Sequence, residues 1–309
     1  MTIPVTSESF GDLLDPRFQQ IFNDELEQLD DMLASLYDMP PDNGRNEVKY
    51  SGVGAFGDFN EFTGTVTYDD VAQGYDSTAT HIEFASGFQV QRKLFDDDQY
   101  NIMDAKPQGL AEAAVRTRQQ HGAEVFTGAF SAGSNFYSHS EGVALCSDSH
   151  TTTASGVSTA TGFDNLGTAA FSHTALVAAR IQMRGFRDDR GNRFSVMPDE
   201  VWFPVDIFDK VQEVLMSTTR SDNANDQFNV QRGLRDGTGR AGWEYMTDAN
   251  NWFLVDSRKR RRYLKWHDRI ALEFAFAEDL DTIVAKWRAY MRYSWQWWNW
   301  RWFMGHQVS

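Results

Sequence analysis

Ile283-Val284-Ala285-Lys286-Trp287-Arg288-Ala289-Tyr290-Met291-Arg292-Tyr293-Ser294-Trp295-Gln296-Trp297 runs directly into Trp298-Asn299-Trp300-Arg301-Trp302-Phe303-Met304-Gly305-His306. Ile283, Ala285, Trp287, Ala289, Met291, Tyr293, Trp295 and Trp297 occupy every second position, with Lys286, Arg288, Arg292, Ser294 and Gln296 between them. This alternation reads as a half-buried strand, apolar on one face and polar on the other. After Trp297 the phase slips by one residue, and Trp298, Trp300 and Trp302 alternate with Asn299 and Arg301. Such a slip flips the apolar face unless a bulge or turn absorbs it. Trp287, Met291, Trp295, Trp298 and Trp302 also follow three-four spacing, so a helix fits the same letters. So much aromatic surface needs burial, either within the chain or against other copies of it.

The rest of the chain is acidic, and unevenly so. Residues 1–100 hold 20 acidic and 5 basic side chains, and the other 209 residues hold 24 of each, so the first third carries the whole net charge of −15. That segment would repel phosphates, which argues against its wrapping nucleic acid; the acidity also serves solubility. The 309 residues suffice for one large or two ordinary domains. No apolar run approaches a membrane span and no basic-then-apolar leader opens the chain, so no membrane partner is expected. Cys146 is the single cysteine, which excludes an internal disulfide framework and fits folding in a reducing cytoplasm.

Asp15-Pro16 reads as a helix start, with Asp15 as N-cap. Phe18, Phe22, Leu26, Leu29, Leu33 and Leu36 mark one face of the helix, which Pro40-Pro41-Asp42-Asn43-Gly44 ends. An amphipathic segment isolated by such a breaker must dock somewhere. From Tyr50 to Phe95 glycine recurs between short β-prone pieces, Gly64 to Tyr68, Thr80 to Phe84 and Phe88 to Gln91. This reads as a long two-stranded excursion with few core positions, marginal unless something else supports it. Ile102 to Phe130 reads as one long helix and Thr174 to Arg184 as another. Arg187 to Asn192 is a turn. Glu200 to Val205 is a strand leading into a helix from Asp206 to Ser217, and Asn250 to Asp256 and Ile270 to Glu278 are strands.

Candidate chemistry is sparse. His139, Cys146, Asp148 and His150 could each ligate a transition metal, but their spacing matches no zinc pattern, so no metal is expected and the default is a polar loop in which Cys146 packs as a small hydrophobe. Asp222-Asn223-Ala224-Asn225-Asp226 clusters oxygen ligands without the glycine and distal glutamate of a calcium loop, so a turn is the default. Arg258-Lys259-Arg260-Arg261-Arg262 is the one strong basic run. Aromatic residues flank it without interleaving, unlike a base-stacking platform. It reads as an exposed turn facing the acidic first hundred residues of a neighbouring copy rather than nucleic acid. No phosphate-binding loop, nucleophile elbow or zincin motif is present, so nothing in the sequence supports catalysis or a cofactor.

The order of segments resembles the major capsid proteins of tailed bacteriophages, with the Hong Kong 97-type fold, and Mu-like head subunits in particular. Four places carry the resemblance: the acidic arm with its glycine-rich hairpin; the long helix from Ile102 to Phe130; the run from Leu145 to His150 continuing through Leu176 to Met183, Asp189 to Asn192 and Val196 to Pro204; and Trp252 to Asp256 with the ending Trp300-Arg301-Trp302 and Gly305-His306. Many relatives begin with a long cleaved scaffolding segment. Nothing that long precedes Asp15, so scaffolding is expected as a separate protein, or the numbered chain is a mature form.

The resemblance implies an α+β fold divided into an N-terminal arm (1–49), an extended hairpin loop (50–100), a spine helix of a peripheral domain (101–135), an axial domain (136–255) and closing strands returning to the peripheral domain (256–309). It implies a non-enzymatic shell subunit, assembled in the bacterial host cytoplasm as hexamers and pentamers around double-stranded DNA. Portal, scaffolding and decoration proteins are the implied partners. Phe56, Phe59 and Phe62 on the hairpin, and Arg258, Lys259, Arg260, Arg261 and Arg262, are the expected subunit contacts. An encapsulin-like cargo shell shares the fold and stands as the alternative, and a soluble hydrolase built on scattered His, Asp and Ser residues is the reading from another class.

Overall fold

A computed structural model describes residues 8–29, 31–66, 68–91, 102–220, 227–239, 242–279 and 284–308. The elements follow in the order α1 (Glu8–Gln28), α2 (Leu33–Leu36), β1 (Glu47–Val53), β2 (Gln73–Thr80), β3 (Ile82–Gln91), α3 (Ala105–Thr127), β4 (Tyr137–His139), β5 (Leu166–Gly167), α4 (His173–Arg184), β6 (Glu200–Trp202), α5 (Phe208–Met216), β7 (Arg235–Asp236), β8 (Trp252–Val255), α6 (Ser257–Tyr263), β9 (Leu264–Asp279), β10 (Val284–Trp297) and β11 (Phe303–His306). The fold is α+β, with three sheets ordered β3-β10-β9, β1-β2-β4 and β5-β11-β8-β6-β7.

The tryptophan-rich stretch is a strand. β10 is the central strand of its sheet, antiparallel to β3 and β9. Trp287, Ala289, Met291, Tyr293, Trp295 and Trp297 are buried on one face, while Lys286 and Arg288 are exposed on the other. The period of two therefore decides the case against the helix. The phase slip falls after β10 has ended: the chain turns, Phe303 N–H donates to the Trp300 carbonyl at 3.0 Å, and β11 starts in a different sheet.

The long helix α3 lies over the aromatic face, as its alanine-rich sequence anticipates. His121 Nδ1 sits 2.7 Å from Tyr293 Oη, and Arg118 grips Asp268 of β9 with two bonds of 3.0 Å. Toward its C-terminal end α3 inserts Phe126 between Trp202, Phe253 and Phe303 at ring distances of 5.1, 5.1 and 5.7 Å. One continuous core thus joins the long sheet to the five-stranded sheet. Gly122 on α3 has a steric role: a Cβ there would stand 1.9 Å from Leu33 Cδ2, so Leu33 of α2 fills the space.

Three sequence expectations change. Helix α1 spans Glu8–Gln28 and runs through Pro16, although proline removes one helical donor and crowds the preceding turn. What holds the segment is tertiary packing: Phe18 meets Trp287 edge-on at 5.0 Å and Phe22 stacks on Phe274 at 4.6 Å. The arm therefore docks on its own subunit. Second, Gly64, Thr65, Val66 and Tyr68 lie in no strand; the strands lie at the hairpin's base, and the described residues between Val53 and Gln73 have no strand beside them to complete a ladder. Third, the closing segment divides between two sheets, with β9 and β10 joining β3 and β11 pairing with β8 and β5.

Candidate assembly surfaces

The hairpin leaves the body as β1 and β2, and its tip occupies residues 54–72. Phe59 is fully exposed, and Phe56 and Phe62 are 64% and 70% exposed; Val53, Val66 and Tyr68 are uncovered beside them. The tip carries Asp58, Glu61, Asp69 and Asp70 and no basic residue. Its root is fastened to the turn that follows α4. Ala55 N–H donates to Asp189 Oδ1 at 2.9 Å, and Arg190 pairs with Asp69 at 2.8 Å and donates to the Asp70 carbonyl. A hydrogen bond from Gly57 N–H and the Arg190 guanidinium hold the Asp69 carboxyl below its ordinary pKa. Sequence reasoning reads Asp189-Arg190 only as a turn; their contacts with the hairpin close across 134 and 120 residues, and local sequence carries no signal of them.

The basic run is a helix, not a turn. Asp256 caps it by accepting from Lys259 N–H at 3.0 Å, and arginine and lysine are good helix formers. Helical spacing sorts the five cations. Arg258, Arg261 and Arg262, at i, i+3 and i+4, share an exposed face. Lys259 is half-buried, its Nζ 3.8 Å above the Phe194 ring. Arg260 points inward and is 3% exposed. It donates to the carbonyls of Ser35 (2.8 Å) and Leu36, and to Glu200 Oε2 at 3.0 Å. Burial lowers the Arg260 pKa, and Glu200 opposes that shift. The expectation that Arg260 faces another copy is therefore corrected: α2 and β6 of its own subunit take it up. Glu200, its buried counter-ion, was not foreseen, because the pair closes across sixty residues.

These two surfaces have opposite character, acidic-aromatic and cationic, and neither encloses reactive groups. A family model described as phage capsid protein matches residues 74–304. The chain belongs to the phage capsid protein family. Solved capsid structures share its fold. The procapsid protein of bacteriophage JBD30 aligns over 99% of this chain and 77% of its own, with a TM-score of 0.54 and 15% identity. The mature capsid of bacteriophage PhiM1 aligns over 91% and 88%, with a TM-score of 0.59 and 9% identity. The capsid of the native GTA particle aligns over 91% of both chains, at a TM-score of 0.55 and 11% identity. No curated protein sequence matches the chain. The protein is a phage capsid protein, a structural subunit of a virion capsid.

In this capsid protein the residues weighed as metal ligands have other contacts. His150 Nδ1 is 3.1 Å from Glu141 Oε1, and the ring stacks on Trp300 at 4.3 Å. His139 stacks on Trp297 at 4.2 Å, with burial lowering its pKa. Cys146 is buried, which raises its thiol pKa, and it packs as the small hydrophobe that the sequence anticipates. Among the described residues no group of three His, Cys, Asp or Glu side chains is arranged around a metal position. The Asp222 to Asp226 segment lies outside the described residues. Among the described residues no helix is long and apolar enough to cross a membrane.

Proposed function

We propose that this capsid protein closes an icosahedral shell of hexamers and pentamers around the double-stranded DNA of a tailed phage, assembling in the host cytoplasm. Portal and scaffolding proteins, and decoration proteins, are its further partners. In the shell the hairpin tip lies across an adjacent subunit and buries Phe56, Phe59 and Phe62 there. The exposed face of α6, Arg258, Arg261 and Arg262, meets an acidic stretch of another copy, with Lys259 at its edge. The five-stranded sheet is the core of the axial unit, and α3 with the long sheet is the core of the peripheral unit.

The observation that carries this reading is the tip: three phenylalanines open to solvent in a chain that buries nine of its ten tryptophans. Exposed apolar rings grouped on one projecting loop mark an interaction surface. The cationic face adds a repeated contact. Each exposed pair contributes only ~0–1 kcal/mol, but a closed shell repeats it at every subunit.

Electron microscopy of the purified full chain tests the reading. Closed shells of uniform diameter are expected, and shells of the R258S/R261S/R262S variant should dissociate at lower salt than wild type. Molar salt shortens the screening length to roughly 3 Å, so wild-type shells should also loosen there. Small oligomers alone, or variant shells as salt-tolerant as wild type, would overturn the assembly role or the cationic contact respectively.

A further inference from the structure

β2 ends at Thr80 and β3 begins at Ile82, and the two strands belong to different sheets. His81 is the single residue between the two strands, and it is buried at that junction. Its Nδ1 lies 2.9 Å from Ser294 Oγ on β10, and its buried Nε2 has no hydrogen-bond partner among the described residues. His267 of β9 faces it edge-on, with ring centroids 6.3 Å apart. Gln296 Nε2 bridges the two sheets, donating to the Val48 carbonyl of β1 at 3.2 Å and lying 3.3 Å from His267 Nε2. An amide N–H donates, so His267 Nε2 must accept and the ring must be neutral. Tyr50 of β1 closes the seam, stacking on Trp298 at 4.3 Å and on His267 at 5.9 Å.

Among the described residues, the acidic groups around this pair are each engaged with a cation. Ahead of β1, Asp42 is paired with Arg269 at 2.7 Å and Asp38 with Lys265. On β9, Asp268 is held by Arg118. On β10, Arg292 bonds Asn46 and lies 3.8 Å from Glu83. Within the hairpin sheet, Lys49 and Asp76 pair with each other at 2.8 Å. A proton on His267 would set donor against donor at Gln296, and a proton on either ring would place a cation beside Arg292, Arg269 and Lys265.

We infer that His81 and His267 form an acid-sensitive hinge, whose protonation releases the hairpin sheet from the long sheet. Burial first, and then the neighbouring cations Arg292 and Arg269, push the His81 pKa down; burial and then His81 and Lys265 take His267 to about 4. In an opened hinge both would return toward about 6.5. The closed seam is therefore fully stable above that value and loses stability as pH falls from there toward the closed-state values. Within that window each histidine can shift the open-to-closed ratio by up to about tenfold per pH unit. The hinge belongs to the subunit and does not rest on the shell contacts proposed above.

Hydrogen exchange of the full chain, corrected for intrinsic rates and read at about pH 7.5 and about pH 5, tests it. Amides of β1 and β2 should lose at least tenfold in protection at the lower pH while α3, β9 and β10 keep theirs. In the H81N/H267Q variant, which keeps the Nδ1-like and Nε2-like groups without the titration, protection should be the same at both pH values. If that variant does not fold, the wild-type imidazole titrations decide: both midpoints should lie below about 6.5 and coincide with the loss of hairpin protection. Unchanged wild-type protection, a variant that still responds, or a histidine that titrates while the hairpin stays protected would overturn the inference.

Discussion

The rings of β10 and the rings of the hairpin tip are chemically alike and lie in opposite environments. Trp287, Tyr293, Trp295 and Trp297 are buried by α1, α3 and β4 of their own chain, whereas Phe56, Phe59 and Phe62 stand in solvent. The difference comes from the backbone. A regular strand paired on both sides presents its rings on one face, where a helix can cover them all. Among the described residues the tip has no strand paired beside it and no helix packed on its rings, which leaves them open to another molecule. Aromatic content alone does not say whether a segment builds a core or an interface; the presence of a paired neighbour does.

Four substitutions sharpen this contrast, from the largest effect to the smallest. Trp295→Ala removes a ring packed against Tyr37 and Tyr137, and should cost about 3–5 kcal/mol in denaturant unfolding. Arg260→Ala also acts within the subunit. It takes from the buried Glu200 carboxylate one of its two cations, leaving Arg235 at 3.3 Å, and removes the donor to two carbonyls, so a loss of about 3 kcal/mol is expected. Arg261→Ala, one residue along the same helix, should move stability by less than about 0.5 kcal/mol. Equal effects at the two arginines would erase the division of α6 into an inner and an outer face. Phe59→Ser should likewise leave the unfolding midpoint of the subunit within about 0.5 kcal/mol of wild type while lowering the yield of closed shells. A destabilised but normally assembling F59S protein would place that ring in the core rather than the interface.

Much of this was legible in the letters. The period of two over Ala285 to Trp297 marked β10, and the alanine-rich run from Ala105 marked α3, because each is long enough for its pattern to be read. The hairpin was legible as an excursion from its glycines, although β-prone Gly64 to Tyr68 suggested strands at the tip. Propensity cannot supply the partner strand that a ladder needs. At Asp15-Pro16 a local helix-start signal is overridden: the helix runs through it, held by Phe18 and Phe22 docking on the long sheet. The basic run was visible, but its division was not: the helix that turns Arg260 inward depends on the Asp256 cap, and the pocket that receives it is built by Glu200 and the α2 carbonyls, both remote in sequence. Contacts of this kind, like Asp189 with the hairpin root, are set by topology.

The same packing bears on the arm. Removal of residues 1–40 would uncover Trp287 and the face of α3 that Leu33 covers, so the truncated chain should unfold more easily as well as assemble poorly. A truncated subunit with wild-type stability would show that the contacts of Phe18 and Phe22 are dispensable.

The most direct test of the central claim is an assembled-particle structure in which the solvent-exposed area of Phe56, Phe59 and Phe62 is compared with and without neighbouring subunits. The account predicts that these rings lose most of their exposed area to an adjacent copy, and little to their own chain. Rings still open to solvent in the shell, or folded back onto their own subunit, would contradict it.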